Sequence, residues 1–330
     1  MSKFLSRRSR LLLPLFALSL AAIAFAGVSS ATAGGKSCGT VTLNEQAWSG
    51  STANTYVAKY VLEHNLGCKV KITQITEVPV YQAMADGKTD AVLEDWGHIT
   101  QQKQYVAKQK TVVAEGPNGV IGVIGWYIPD YLMKQYPQFK TWKGLKGKET
   151  IFKSPESGSQ GMFLGGDPSY QQKDRTLIKA LGLNLKFVSV GAEAAQVARW
   201  TQLYKQHKPV LFYWYDPQYL NATYKLDQVK LPPRFAGCQD DETKGGDPKK
   251  YACAYPTYVL QKFFSKKFAT SGSPAVKFLK KWKWTNADQN VVAGLIAGKH
   301  MDPDKAAATW VAANQARVKA NQAKVKKWLS

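Results

Sequence analysis

Apolar and polar positions recur with two different periods along most of the chain, and the switches between them predict the elements. Val41, Thr42 and Leu43 form a short β-prone run, and Ser51 then precedes Tyr56, Val57, Tyr60, Val61 and Leu62, which recur at helical spacing up to Gly67. Residues 69–78 return to alternation, 80–86 read as a short helix stopped by Gly87, and 90–96 as a third strand. A second set begins near Val120, with a strand to Trp126, a helix over 129–136, a strand around 150–152 and a helix containing 177–181. Strands at 186–190 and 210–214 follow, separated by an alanine-rich helix at 192–205. Strands alternating with helices predict an α/β protein built of two successive units, each with a mostly parallel sheet flanked by helices.

After Asp216 the rhythm loosens. Residues 226–231 read as a strand, Pro232 and Pro233 break it, and 237–248 form an exposed loop. The remainder reads as mostly helical, with 286–297, 303–318 and the lysine-rich end to Trp328 and Leu329 each carrying one apolar face. No repeat or low-complexity linker separates the two units, so they are expected to meet at a cleft, joined near 116–125 and 210–217. The expected division is 1–33 as a leader, 34–118 with 216–330 as the first lobe, and 119–215 as the second.

The leader stands apart from the pattern. Lys3, Arg7, Arg8 and Arg10 form a cationic head, an apolar stretch fills 11–26, and Ala31-Thr32-Ala33 supplies small residues at a cleavage spacing. This is the layout of a cleaved export signal rather than an anchor, because the stretch is shorter than the ~20 residues a bilayer span needs. The segment before Cys38 lacks the pattern of a lipid-modified cysteine. The expected location is periplasmic or otherwise extracytoplasmic.

Charge and composition then narrow the classes. The 330 residues include 45 Lys+Arg and 23 Asp+Glu, a net charge of +22, which falls to +18 without the four basic residues of the leader. Such a balance admits nucleic acid, an anionic envelope or an anionic ligand as partner. With 45% hydrophobic residues the chain is not a disordered one. The four cysteines all follow the leader, and an even number in an exported chain favours two disulfides. Cys38 precedes the first strand and Cys68 the second, while Cys238 and Cys253 flank one loop. The expected pairs are Cys38–Cys68 and Cys238–Cys253, each closed loop contributing about 3 kcal/mol. No Cys-x-x-Cys pair occurs and His64, His98, His207 and His300 are scattered, so no metal site is expected.

Of the ten tryptophans, Trp48 follows the first strand and Trp96, Trp126 and Trp214 end strands. Ligands of an open parallel sheet bind beyond the carboxyl ends of its strands, so these four indoles are expected to converge. An indole face attracts a cation that cannot hydrogen-bond, at roughly 0.5–2 kcal/mol per desolvated contact. Three or four rings then approach half of the ~8 kcal/mol of micromolar binding. Covering the core is the simpler role for any one of them, and a sugar platform would want Asn, Asp and Arg beside the rings.

Val41-Thr42-Leu43 with Trp48, Leu93-Glu94-Asp95-Trp96, Gly125-Trp126-Tyr127-Ile128-Pro129, Phe163-Leu164-Gly165-Gly166-Asp167-Pro168, Phe212-Tyr213-Trp214, and the closing Trp310 and Val325-Lys326-Lys327-Trp328-Leu329 follow one another along the chain. In these segments the chain resembles the substrate-binding proteins of ABC importers for glycine betaine, choline and related quaternary amines. The resemblance implies a two-lobed periplasmic-binding fold of the second type that closes on one ligand. Its aromatic box maps onto Trp48, Trp96, Trp126 or Tyr127, and Trp214.

For the ligand's other end, the small-residue loop 154–161 is expected to follow a strand and precede a helix, where backbone amides suit an anion. The resemblance places a carboxylate-gripping loop there, which names Ser157, Gly158 and Ser159. Ser49, Ser51 and Thr52 line the first loop as further contacts or as helix caps. Glu94, Asp95 and Asp216 lie beside box positions and complement a cation. Choline-selective relatives carry an acidic side chain two positions after the first box tryptophan, and Gly50 stands there, which tilts the reading away from choline.

No nucleophile with its base, phosphate loop or metal cluster is found, so neither catalysis nor a cofactor is expected. Phe278-Leu279-Lys280-Lys281-Trp282-Lys283-Trp284 admits a second reading, an exported basic protein bound to an anionic surface or nucleic acid, although a solvated helix face with inward tryptophans accounts for it. A third is a binder of another small amine or amino acid on the same fold. The favoured expectation is a monomeric binding protein that hands a quaternary amine such as glycine betaine to an importer's permease, without a nucleic-acid partner.

Overall fold

The computed structural model describes residues 38–312 and 323–330. The expected leader and the end of the expected helix 303–318 lie outside them. Among the described residues nine strands form one mixed sheet: β1 (Thr40–Asn44), β2 (Lys69–Thr73), β3 (Ala91–Asp95), β4 (Val112–Pro129), β5 (Gly161–Leu164), β6 (Leu185–Val188), β7 (Leu211–Asp216), β8 (Leu226–Val229) and β9 (Thr257–Ser265). Their order is β2-β1-β3-β9-β4-β7-β5-β6, with β8 beside β4. β1 runs parallel to β2 and β3, and β5 parallel to β6 and β7. β9 and β4 run antiparallel between them, and β4 pairs with β9 over its first part and with β7 and β8 over its last.

Each parallel trio has its own core, giving two lobes. The helix Ser49–Leu66 buries Ala53, Val57 and Val61 against Val41 and Leu43 of β1, with Leu93, Phe264 and Trp282 in the same cluster. Gly67, at φ 66°, ends this helix in a left-handed turn, and its N–H donates to the Leu62 carbonyl. Trp126, Ile128, Phe163, Leu177 and Leu211 form the second core. Val229 and Tyr255 belong to that core as well.

Two elements differ from the periodicity. Residues 149–152 form a 3₁₀ turn that buries Phe152 against Phe139, and the strand comes later as β5. β9 lies in the stretch read as mostly helical. Lys262 in its middle suggests a solvated position, yet the residue is fully buried, and its ammonium donates to the carbonyls of Leu279, Lys280 and Trp282 at 3.0, 2.7 and 2.9 Å. The lysine thereby caps the end of the helix Pro274–Lys281. In the basic run that follows, Phe278, Leu279, Trp282 and Trp284 are buried, while Lys280, Lys281 and Lys283 are exposed.

Both expected disulfides are present, Cys38–Cys68 and Cys238–Cys253, at sequence separations of 30 and 15. The second lies in the half-exposed loop 237–254, which is pinned by buried Lys173. The Lys173 ammonium pairs with Asp240 at 2.7 Å, donates to the carbonyls of Gln239 and Ala254, and sits 4.9 Å from the centre of the Tyr255 ring.

Candidate functional site

The carboxyl ends of β1, β3 and β7 face one cavity between the lobes. Trp48 enters it from the turn after β1, where it precedes the first residue of the helix Ser49–Leu66, and Trp96 enters just past β3. Tyr213 and Tyr215 of β7, Tyr258 of β9 and Tyr170 from the loop after β5 complete the aromatic wall, with Ile124 of β4 between them. Neighbouring rings meet edge to face: Trp48 with Trp96 at 6.5 Å between centroids, Trp48 with Tyr170 at 5.7 Å, and Trp96 with Tyr215 at 5.7 Å.

Buried carboxylates orient these rings from behind. Glu94 accepts both indole N–H groups, and Glu193 accepts the Tyr215 hydroxyl. Burial pushes both carboxyls up from their ordinary range, and the hydrogen bonds they accept oppose that shift. Burial also raises Tyr170, Tyr213, Tyr215 and Tyr258 well above the ordinary phenol value, so the wall stays neutral. The polar part of the wall is Glu77, His98 and Gln171. A neighbouring groove that also borders Trp48 is lined by Glu45, Asp167 and Glu193. Neither space is lined by a lysine or arginine, so the basic charge lies elsewhere.

The space between the rings is small, about 30 Å³ of positions open to the centre of a water molecule.

The structure brings together two of the expected box residues, Trp48 and Trp96, and places the others elsewhere. Trp126 is fully buried on Phe163, donating to Asp174 at 2.6 Å, because β4 continues to Pro129 and the indole is three residues inside the strand. Trp214 points to the opposite face of β7, against Trp200 and Phe212, and donates to Asn221 at 2.7 Å. Tyr127 packs with that same cluster. Strand alternation therefore gives the site to Tyr213 and Tyr215, the residues on either side of Trp214.

The expected polar contacts are also redistributed. Ser157, Gly158 and Ser159 precede β5, at the amino end of the strand, while the cavity lies past its carboxyl end. The Ser157 hydroxyl is used locally, accepting the Ser154 N–H and placing its one proton between the carbonyls of Gln160 at 2.7 Å and Ser154 at 3.0 Å. Ser51 accepts the Gln46 N–H at 2.9 Å and fixes the turn before Trp48, and Thr52 donates to Glu45. Ser49 donates its backbone N–H to Glu193 at 2.8 Å, a contact between the lobes. Glu94 lies directly behind the box, Asp95 lies under His98, and Asp216 accepts from Asn221 and Asn286 at the end of β7. Tyr170, Tyr213, Tyr215, Tyr258, Glu77, His98 and Gln171 were not singled out by the sequence. For Tyr213 and Tyr215 the period of two in β7 held the signal. Among the described residues no group of His, Cys, Asp or Glu is arranged to hold a metal, and no helix is long and apolar enough to cross a membrane.

The chain is 24% identical over 309 residues to the trimethylamine N-oxide-binding protein of Pelagibacter ubique, covering 91% of this chain and 95% of the relative. Its fold is similar to that of lactococcal OpuAC in a closed complex with glycine betaine, with a TM-score of 0.65, 20% identity, and 88% and 99% of the two chains covered. It is likewise similar to an ABC-transporter choline-binding protein in complex with choline, at a TM-score of 0.65, 18% identity, and 89% and 99% coverage. Residues 39–313 match the family of substrate-binding domains of ABC-type glycine betaine transport systems, and the chain belongs to that family.

Proposed function

We propose that this protein captures the methylated head of a quaternary amine, glycine betaine or a close analogue, in the cage around Trp48 and Trp96 and delivers it to the membrane permease of an ABC importer. The observation that carries this reading is a cavity walled by six aromatic rings, with no lysine or arginine in its lining. At roughly 0.5–2 kcal/mol per facing ring, the cage alone supplies a few kcal/mol. The remainder comes from burial and from the ligand's polar end.

The protein acts outside the cytoplasm as a monomer. Two disulfides suit an oxidising compartment, and the leader-like residues 1–33 supply the route. The family is one of transport rather than catalysis.

Titration of the mature protein with tetramethylammonium, choline, trimethylamine N-oxide and glycine betaine, followed by calorimetry and tryptophan emission, tests the reading. One-to-one binding that is nearly independent of salt is expected. A flat response to all four compounds overturns it, and a DNA affinity that falls steeply with salt would instead support the basic-surface reading.

A further inference from the structure

The cavity wall carries buried polar atoms that make no hydrogen bond within the protein, although one of them, His98 Nε2, faces Glu77 as an ion pair. His98 is 2% exposed and lines the cavity. Its Nδ1 lies 2.6 Å from Asp95 Oδ2, whereas Nε2 has no hydrogen-bond partner. The nearest ion-pair oxygen to Nε2 is Glu77 Oε2 at 3.6 Å, beyond hydrogen-bond reach. Glu77 lines the same wall and accepts the Gln171 N–H at 2.7 Å, and the side-chain oxygen of Gln171 is also buried without a partner. Asp95 is already occupied by the Tyr81 hydroxyl at 2.9 Å and the Gly97 N–H at 2.8 Å.

We infer that Glu77 and His98 form a polar subsite that selects a methylated ammonium bearing a single oxygen, as a hydroxyl or an N-oxide, over one bearing a carboxylate. The inference rests on the cage reading and narrows it. Burial alone would lower the imidazole pKa, but Asp95 and Glu77 outweigh burial and raise it well above 6.5, so Nε2 carries a proton and donates. The wall thus offers one donor beside acceptor oxygens. A hydroxyl satisfies both kinds. An N-oxide oxygen takes the donor while its cationic nitrogen faces Glu77. A carboxylate can also take the His98 donor, but its second oxygen is then left against the Glu77 carboxylate, a like-charge contact that weakens its binding. The small cavity also favours a compact molecule. Position 50 offers no side chain for this part, and a Cβ there would meet Gln289 Nε2 at 2.3 Å. Glu77, just before the helix Pro79–Ala85, brings a carboxylate from another element.

The test is calorimetry with tetramethylammonium, choline, trimethylamine N-oxide and glycine betaine on the wild type, Glu77→Gln and His98→Gln. In the wild type, choline or the N-oxide should bind at least about tenfold tighter than both tetramethylammonium and glycine betaine. Glu77→Gln should raise the ratio of glycine betaine to tetramethylammonium affinity roughly tenfold, and His98→Gln should remove the advantage of the single-oxygen ligands. The order of choline and the N-oxide identifies which oxygen the site takes. Glycine betaine binding as tightly as either, or a ratio unmoved by Glu77→Gln, overturns the inference. If tetramethylammonium and the other three all fail to bind, the cage reading itself fails and the inference falls with it. Should His98→Gln not fold, the wild-type panel and Glu77→Gln decide.

Discussion

Trp48 and Trp96 are fixed by one atom: both indole N–H groups donate to Oε1 of Glu94, at 2.8 and 3.1 Å, and the rings stand at 87° to each other. The second oxygen of Glu94 accepts from Asn54 at 3.2 Å, so the carboxylate is anchored to the helix Ser49–Leu66. The two largest walls of the cage therefore depend on a residue that itself stays behind them.

Removing that anchor should disorder both rings at once. Glu94→Ala is expected to weaken quaternary-amine binding roughly tenfold to a hundredfold, the scale of hydrogen bonds to a charged group. Glu94→Gln, which keeps one acceptor, should fall between. Calorimetry on folded variants checks this, and an unchanged affinity in Glu94→Ala would show that the rings are held by packing alone.

Neighbouring residues of β7 should separate binding from stability. Tyr215→Ala removes a wall of the cage and is expected to cost about 0.5–2 kcal/mol of binding. Trp214→Ala leaves the cage intact but opens the core beside Trp200, and should lower stability by about 3–5 kcal/mol with little change in affinity per folded molecule. Denaturant unfolding beside calorimetry distinguishes the two, and a large affinity loss in Trp214→Ala with normal stability would contradict the assigned parity.

This pair shows what the sequence could and could not convey. Hydrophobic period located β1, β3 and β7, and the rule that ligands bind past carboxyl ends pointed to Trp48 and Trp96. Choosing among Tyr213, Trp214 and Tyr215 required knowing which face of β7 meets the cleft, and both faces are buried, so no polar alternation marked it. The turn at 149–152 shifted the next strand to β5 and left Ser157 at its wrong end. His98, Glu77 and Tyr258 come from three separate segments, and only the crossing of β9 and β4 between the lobes brings them to one cavity.

Two reciprocal contacts close the cleft. Glu193 accepts the Ser49 N–H from across the cavity at 2.8 Å, and Glu77 accepts the Gln171 N–H in the opposite sense at 2.7 Å. Each side thus contributes one carboxylate and one backbone donor. Glu193→Ala should destabilise the closed form, raising the dissociation constant roughly tenfold and leaving a larger radius of gyration in small-angle scattering at saturating ligand. Equal radii in variant and wild type, with equal affinity, would remove Glu193 from closure.

Asp174 makes the second lobe sensitive to pH. Its carboxylate is fully buried and accepts from Trp126 at 2.6 Å and Tyr255 at 3.0 Å. Burial outweighs these bonds and raises its pKa from 3.8 to about 7. The folded protein then holds a proton that the unfolded chain has already lost over that interval. Stability from this group is fully present below the unfolded value and is lost as pH rises through about 7, a change on the order of a few kcal/mol. Asp174→Asn keeps the shape, with its oxygen accepting from Trp126 and its amide donating to the Tyr255 hydroxyl, but does not titrate. Melting temperatures from pH 4 to 9 should therefore fall more steeply for the wild type than for Asp174→Asn, with the curves diverging up to neutrality and running parallel above it. Curves that stay parallel across the whole range would show that the carboxyl is ionised throughout and that Trp126 and Tyr255 stabilise its charge.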